Sequence, residues 1–352
     1  MAARTVLITG GCGFIGAALI RLLKQERTAW RLVNLDRLTY AANAENLEGI
    51  TEGPGYRFIH GDVADRDLVF RLVEEEHPAD VIHLAAESHV DRSIIDATAF
   101  LRTNVLGTHV LLEAVRRFGI ERFLHVSTDE VYGDVGRDGT PCTEESPLRP
   151  SSPYAASKAA GDLLCQAYRR TYGLPILIAR PCNHYGPRQF PEKLVPFMIR
   201  RLIRHERLPL YGDGRQRRDW LYVEDGTRAL LAVLERGAVG GIYNIAAHGE
   251  RENHDVVQLL CAQAAREQGI SPEPLLALIE HVADRPGHDV RYALDDGRLR
   301  TETGWTPRTS FEDGLAQTVR WYLAHRSWLE HVAVVDYQPH FQPRPTQPEA
   351  RR

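Results

Sequence analysis

A short apolar run, a glycine-rich turn and an amphipathic helix open the chain in that order, and few folds accept them. Thr5-Val6-Leu7-Ile8-Thr9 is the kind of run that a parallel sheet buries on both faces. Gly10-Gly11-Cys12-Gly13-Phe14-Ile15-Gly16 follows, then a helix whose Ile15, Leu19, Leu22 and Leu23 share one side. Glycines at 10, 13 and 16 permit a tight turn, let backbone N–H groups approach a diphosphate, and let the helix lie close on the strand. The helix N-terminus then faces the diphosphate. The next strand, Arg31 to Leu35, ends in Asp36, twenty residues past Gly16. A carboxylate there accepts hydrogen bonds from the adenosine ribose and repels a 2′-phosphate, which favours NAD over NADP. Arg37 leaves a second reading open, because a guanidinium stacks on adenine or pairs with a phosphate.

Further strands read at Arg57–His60, Val81–Leu84, Arg122–Ser127, Ile176–Arg180 and Ile242–Ile245, with helical patterns between them. Repeated β-α-β predicts an α/β fold, a doubly wound parallel sheet of the Rossmann kind, with ligands at the carboxyl ends of the strands. After about residue 186, Pro187, Pro191, Pro196 and Pro209 break the chain into shorter elements. The expected division is therefore a dinucleotide-binding part over 1–186, to which a strand near 240–246 returns, and a smaller, less regular lobe over 187–335. Residues 336–352, with four prolines and no apolar period, read as a loosely held tail. A net charge of −4 gives no electrostatic case for nucleic acid or an anionic membrane. The five cysteines have no pairing pattern and no metal-ligand spacing, and no long apolar span occurs. A cytoplasmic protein without metal or membrane contact is expected.

The chemistry concentrates between Ser127 and Lys158. Tyr154 and Lys158 are four apart in a helical pattern, so they lie on one face. A phenol with an ordinary pKa of about 10 becomes a base near neutrality only with about 4 kcal/mol of differential stabilisation, and a neighbouring ammonium is the expected source. Upstream, Asp129 and Glu130 sit where a strand runs into a loop. Two carboxyls in one cleft tend to split their pKa values, leaving one protonated. Two arginine-bearing segments, Arg215-Gln216-Arg217-Arg218 and Ala283 to Asp289, are either solvated surface or a clamp in which Arg218 and Arg285 hold a diphosphate.

These motifs together resemble the extended short-chain dehydrogenase/reductases, and within them the nucleotide-sugar 4,6-dehydratases. The resemblance runs from the glycine turn to about Trp328. Its specific parts are Asp36 to Tyr40, His83 to Ser93, Ser127 to Gly133, Ser152 to Lys158, Phe190 to Leu194, Arg218-Asp219-Trp220 and Asp284 to Asp289. It implies a lyase that uses NAD on a nucleotide-glucose, dTDP-glucose before others, to give a 4-keto-6-deoxy sugar. Tyr154, paired with Lys158, would take the 4-hydroxyl proton, and Thr128 would bond that oxygen. Glu130 would act as base at C5 while Asp129 protonates the departing 6-hydroxyl. Gly10, Gly13, Phe14, Ile15, Gly16, Asp36, Arg37, Leu38, Thr39, Asp62, Val63, Leu84, Ala85, Ala86, Ser88, Thr103, Tyr154, Lys158 and His184 would line the NAD site. Ser88, Thr128, Asn183, Lys193, Leu194, Pro209, Leu210, Tyr211, Arg218, Asn253, Asp284, Arg285, Pro286, Gly287 and His288 would contact the nucleotide sugar. The resemblance also implies a homodimer, pairing helices near Ala99–Phe118 and Tyr154–Tyr172 from each subunit.

Three positions depart from the family pattern: Asn183-His184 where two asparagines are common, Cys12 in the glycine turn, and Ala246-Ala247 in place of a glycine pair. They bear on base and sugar preference. Rival readings are a dehydratase of another nucleotide sugar, a 4-epimerase of the same fold, and an NAD-binding scaffold or redox sensor. An epimerase only oxidises and re-reduces C4 and needs no acidic pair; a scaffold needs none of Tyr154, Lys158, Asp129 and Glu130.

Overall fold

The computed structural model describes residues 4–332. The expected tail at 336–352 lies outside the described residues. Seven strands form one parallel sheet: β1 (Thr5–Thr9), β2 (Arg31–Asp36), β3 (Tyr56–His60), β4 (Asp80–His83), β5 (Arg122–Val126), β6 (Ile176–Pro181) and a last strand, Ile242–Ile245. Their order is Ile242–Ile245, β6, β5, β4, β1, β2, β3. Every pairing is parallel, with Leu7 of β1 opposite Val33 on one side and Val81 on the other. Chain order therefore reverses beside β1, which opens a crevice at the carboxyl ends of β1 and β4.

The sheet is buried on both faces, as its apolar strands require. On one side Ile8, Ile82 and Ile245 pack with Leu19 and Leu23 of the first helix (Phe14–Glu26) and with Leu230 and Val233 of helix Val223–Arg236. On the other, Leu7, Val33 and Phe123 pack with Val69, Leu112 and Val115. Full burial of a leucine such as Leu19 or Leu23 stabilises by roughly 1.5–3 kcal/mol over leaving it exposed. A third apolar cluster, including Val195, Leu202, Leu260, Leu315 and Tyr322, belongs wholly to the later part of the chain.

Helix Pro153–Tyr172 carries the tyrosine and lysine, and its ends follow from the sequence. Ser152 accepts a hydrogen bond from Ala155 N at 3.1 Å, Pro153 occupies the first turn, and Gly173 closes it at φ 69. The helix is keyed to the sheet by a buried ion pair, Arg180 Nε donating to Asp162 at 2.7 Å. Burial alone would push Asp162 up, but the His125 and Arg180 interactions outweigh it and hold the carboxyl below its ordinary value. Arg180 also donates to Tyr132 Oη at 2.7 Å, so the guanidinium is satisfied where it stands.

Beyond residue 182 three two-stranded pairings replace the long period: Asn183–Tyr185 with Trp220–Tyr222, Arg217–Arg218 with Arg251–Glu252, and Leu208–Tyr211 with Ile279–Val282. The helical run from Thr98 to Phe118 contains a widened π segment, Leu101–Gly107. Its Asn104 donates to Ser157 Oγ at 2.8 Å and to Glu87 O at 3.0 Å, which ties this helix to the one bearing Tyr154. No helix among the described residues is long and apolar enough to cross a membrane. No metal-ligating cluster of His, Cys, Asp and Glu occurs among them either.

Candidate active site

A cleft of ≈ 330 Å³ lies along the carboxyl ends of β1, β2, β4, β5 and β6. Its first wall is the glycine turn. Gly10 has φ +75 and lies so close to β4 that a Cβ would stand 2.6 Å from Ala85 N. A Cβ on Gly16 would stand 2.2 Å from Gly10 O, which is why the helix can begin against the turn. Gly13 caps the helix without a side-chain bond, leaving the first N–H groups for a ligand. Asp36, at the end of β2, accepts from Cys12 N and Leu38 N, both at 2.8 Å. These bonds aim the carboxylate and leave each oxygen further acceptor capacity. Burial raises its pKa above the ordinary value despite them. The residues present fit the adenosine diphosphate half of NAD.

The opposite end holds the reactive groups. Thr128, Asp129, Glu130, Tyr154 and Lys158 all line the cleft. Thr128 Oγ1 lies 3.1 Å from Asp129 Oδ1, and Glu130 N donates to Thr128 Oγ1 at 3.3 Å. Burial, then the charge of Glu130, pushes Asp129 up to about 8. Burial raises Glu130 as well, against the pull of Lys193, Arg285 and Arg218. The two carboxyls are therefore unequal, with Asp129 the protonated member at neutral pH.

Tyr154 and Lys158 both line the cleft, and the lysine has a protein partner of its own. Spacing puts Tyr154 and Lys158 on one face, but the Lys158 ammonium donates to Val126 O at 2.7 Å. Tyr154 is pushed up by burial and by Glu130, with only a Thr128 hydrogen bond opposing. Burial lowers Lys158 to about 8. The physical reason is that four-residue spacing fixes a face and leaves the atoms free, and here a strand-end carbonyl captures the lysine. In the protein alone, Tyr154 is a more reluctant acid than free tyrosine.

Of the expected cofactor contacts, Gly10, Gly13, Phe14, Ile15, Gly16, Asp36, Arg37, Thr39, Asp62, Val63, Leu84, Ala85, Ala86, Ser88, Thr103 and His184 line the cleft. Leu38 does not. Its φ of 55 turns the side chain outward while its N–H serves Asp36. Arg37 pairs with Asp62 at 3.4 Å rather than standing free. His184 donates through Nδ1 to Cys182 O at 3.0 Å, and its ring sits so near helix Val223–Arg236 that a Cβ on Gly226 would stand 1.8 Å from Nε2. Burial lowers its pKa to about 4, so it is neutral.

Of the expected sugar-nucleotide contacts, Ser88, Asn183, Lys193 and Leu194 share the cleft with Thr128. Pro209, Leu210, Tyr211, Arg218, Asn253, Asp284, Arg285, Pro286, Gly287 and His288 stand outside its lining. Leu210 is 2% exposed and fills the third core, so its side chain is spent on packing. Arg285 and Tyr211 both turn to Asp91, at 3.3 and 3.2 Å. Arg218 stands 4.2 Å over the Tyr292 ring and acts electrostatically on both Asp129 and Glu130. Glu192 was missed as a site residue. Glu192 lines the cleft, bonds Tyr40 Oη at 3.2 Å and is raised by burial to about 7. Its place beside Lys193 in the Phe190-to-Leu194 motif was the available signal.

The fold and this cleft place the protein among the short-chain dehydrogenase/reductases that act on nucleotide sugars. A family model described as GDP-mannose 4,6 dehydratase matches residues 7–318. The chain is 47% identical to the dTDP-glucose 4,6-dehydratase of Neisseria meningitidis serogroup B, over 95% of this chain and 98% of that protein. It resembles the solved dTDP-glucose 4,6-dehydratase of Streptomyces venezuelae with NAD and TYD bound, at 45% identity and a TM-score of 0.88, covering 94% and 100% of the two chains. A Bacillus anthracis dTDP-glucose 4,6-dehydratase in complex with NAD aligns at 39% identity and a TM-score of 0.84, covering 94% and 100%. The chain belongs to the dTDP-glucose 4,6-dehydratase family.

Proposed function

We propose that this protein is a lyase that converts dTDP-glucose to its 4-keto-6-deoxy derivative with NAD as a recycled cofactor. The observation that carries the reading is the unequal pair of Asp129, buried, and Glu130, partly buried, in one cleft with Tyr154 and Thr128. A 4-epimerase has no use for that pair, and a scaffold has no use for any of the four groups. Bound NAD+ would take the hydride from C4, return it to C6 and bring a positive ring beside the phenol.

Tyr154 receives the 4-hydroxyl proton as C4 is oxidised. Thr128 Oγ1 donates to Asp129 Oδ1 and its hydroxyl also acts on the Tyr154 phenol, which sets the two reactive groups side by side and leaves the Asp129 proton for the sugar. Lys158, fixed on Val126 O, keeps two further donors for a ribose hydroxyl. The 4-ketone acidifies the C5 hydrogen. Glu130 removes that proton while Asp129 gives its own to the departing 6-hydroxyl, so one water leaves and the sugar is left unsaturated until C6 is reduced. Arg218, Arg285 and Lys193 supply the positive charge that a nucleotide diphosphate needs in a chain with no overall basic excess. Ser88, Asn183 and Leu194 complete the sugar side of the cleft. Incubation with dTDP-glucose and NAD+, followed by the alkali-induced absorbance of 4-keto-6-deoxy sugars, tests this directly. A signal with dTDP-glucose above those with UDP-, CDP- and GDP-glucose is expected, and no signal with any of them removes the reading.

The same reading includes a homodimer. Leu101 and Leu106 on the widened helix, and Leu163 and Tyr172 on helix Pro153–Tyr172, are 43–57% exposed, an apolar surface on the two helices expected to pair. Light scattering is expected to give twice the 39.7 kDa chain mass, and Leu101→Glu with Leu163→Glu to give the single chain. A monomeric unmodified protein would sink the dimer.

A further inference from the structure

A second cavity, of ≈ 110 Å³, is bounded by helix Phe14–Glu26, the Pro187-Arg188 turn and the first turns of helix Val223–Arg236. Three guanidinium groups line it, from Arg21, Arg188 and Arg228, against one carboxylate, Glu224. We propose that this cavity is a binding site for a phosphate-sized oxyanion, free or as a phosphomonoester, separate from the dinucleotide cleft.

Two of the arginines are held, and carboxylates stand near all three, Glu26 on Arg228 and Glu48 attracting both Arg21 and Arg188, so what the cavity offers a ligand is the guanidinium of Arg188. Arg21 donates to two backbone carbonyls, Asn46 O at 2.9 Å and Glu48 O at 2.7 Å, so its position is set by neutral partners. Arg228 pairs with Glu26. Arg188 is half-buried, stands 5.1 Å over the Trp321 ring, and makes no hydrogen bond or ion pair with the described residues. Its five donors have no acceptor among the described residues, and a guanidinium in that condition recognises a tetrahedral oxyanion well. Burial and then the repulsion of Arg21 lower its pKa, which an anion between the two would reverse.

The surrounding backbone adds to this. Helix Val223–Arg236 begins without a side-chain cap, since Tyr222 contributes none, and Val223, Glu224 and Thr227 of its first turns line the cavity. The volume corresponds to roughly seven to ten water positions at about 10–15 Å³ each, room for a phosphate and some waters but not for a nucleotide sugar. Arg188 also lies in the segment between Asn183-His184 and Lys193-Leu194, both of which line the cleft. An oxyanion on Arg188 therefore braces the wall of the cleft from behind.

The test is calorimetric titration of inorganic phosphate into the full chain at constant ionic strength, with NAD+ and dTDP saturating so that the main cleft is filled. One binding event is expected, weakened at least tenfold by Arg188→Ala. Glu224→Gln, which removes the carboxylate that lines the cavity, is expected to tighten phosphate severalfold, a gain that misfolding cannot imitate. A parallel arm with glucose 1-phosphate separates the sources: tighter binding than phosphate assigns a phosphomonoester, weaker or none assigns the free anion. Absence of binding to the unmodified protein overturns the proposal, as does equal affinity in Arg188→Ala or an unchanged affinity in Glu224→Gln.

Discussion

Asp129→Asn combined with Glu130→Gln is expected to leave an enzyme that oxidises C4 and stops. Both replacements keep the shape of the side chain and remove its proton chemistry. Oxidation relies on Tyr154 and survives; elimination loses both its acid and its base. Product formation should fall by about 10²–10⁴, the usual worth of general acid–base catalysis. Reduced nicotinamide should build up in a single turnover, read by its absorbance. A double variant that makes 4-keto-6-deoxy sugar at the unmodified rate would refute the roles given to the pair. The pH dependence follows from the same carboxyls. Asp129 must be protonated to serve as acid, and it titrates at about 8, so product formation should fall as pH rises through that value. In Asp129→Asn alone this alkaline limb should vanish. The sign for stability is the same. The folded pKa lies above the ordinary 3.8, so the folded chain keeps a proton that the unfolded chain has released. Between about pH 4 and pH 8 this group makes stability fall as pH rises.

Tyr154→Phe should fail one step earlier. Without the phenol no group remains to take the 4-hydroxyl proton, so reduced nicotinamide should not accumulate and turnover should drop by about 10³ or more. The phenol is pushed up in the protein alone, by burial and by Glu130. The positive charge of NAD+, when bound, would supply stabilisation of the phenolate beyond what Lys158 gives. Lys158→Met should then weaken NAD binding more than it shifts the pH profile of oxidation. The two tyrosine and carboxylate variants separate the steps: one stops before the hydride moves, the other after. An oxidation transient in Tyr154→Phe equal to that of the unmodified protein would exclude it as the base.

The sheet was legible because buried parallel strands are apolar along their whole length. All seven strands lie within a residue of where the pattern put them. The glycine turn was legible for a related reason: Gly10 and Gly16 answer to backbone clashes that no other residue survives. The later lobe was not, because pairings of two to four residues leave no period to read. Its candidate contacts came from resemblance, and the structure sends several elsewhere. Leu210 is core, and Arg285 and Tyr211 are engaged by Asp91, a partner 194 residues away in sequence from Arg285. For Tyr154 and Lys158 the spacing told less than the full set of contacts. A helical spacing says which side a lysine leaves from, and a four-carbon stem can end on any acceptor within reach, here Val126 O. The Arg21, Arg188 and Arg228 cavity could not be read at all, since its three cations come from separate stretches of the chain and converge only after folding.

The last strand of the sheet comes late, and this has a bearing on biosynthesis. Among the described strands Ile242–Ile245 pairs with β6 alone, and the helix before it, Val223–Arg236, packs on the first helix. A nascent polypeptide that has emerged only to residue 186 would present β6 as an open edge and leave Leu19 and Leu23 without their lid. The ribosome must deliver some sixty further residues before that edge is closed. During that interval the nascent chain is a natural client for chaperones, and a fragment cut short there should be prone to aggregate rather than to bind NAD.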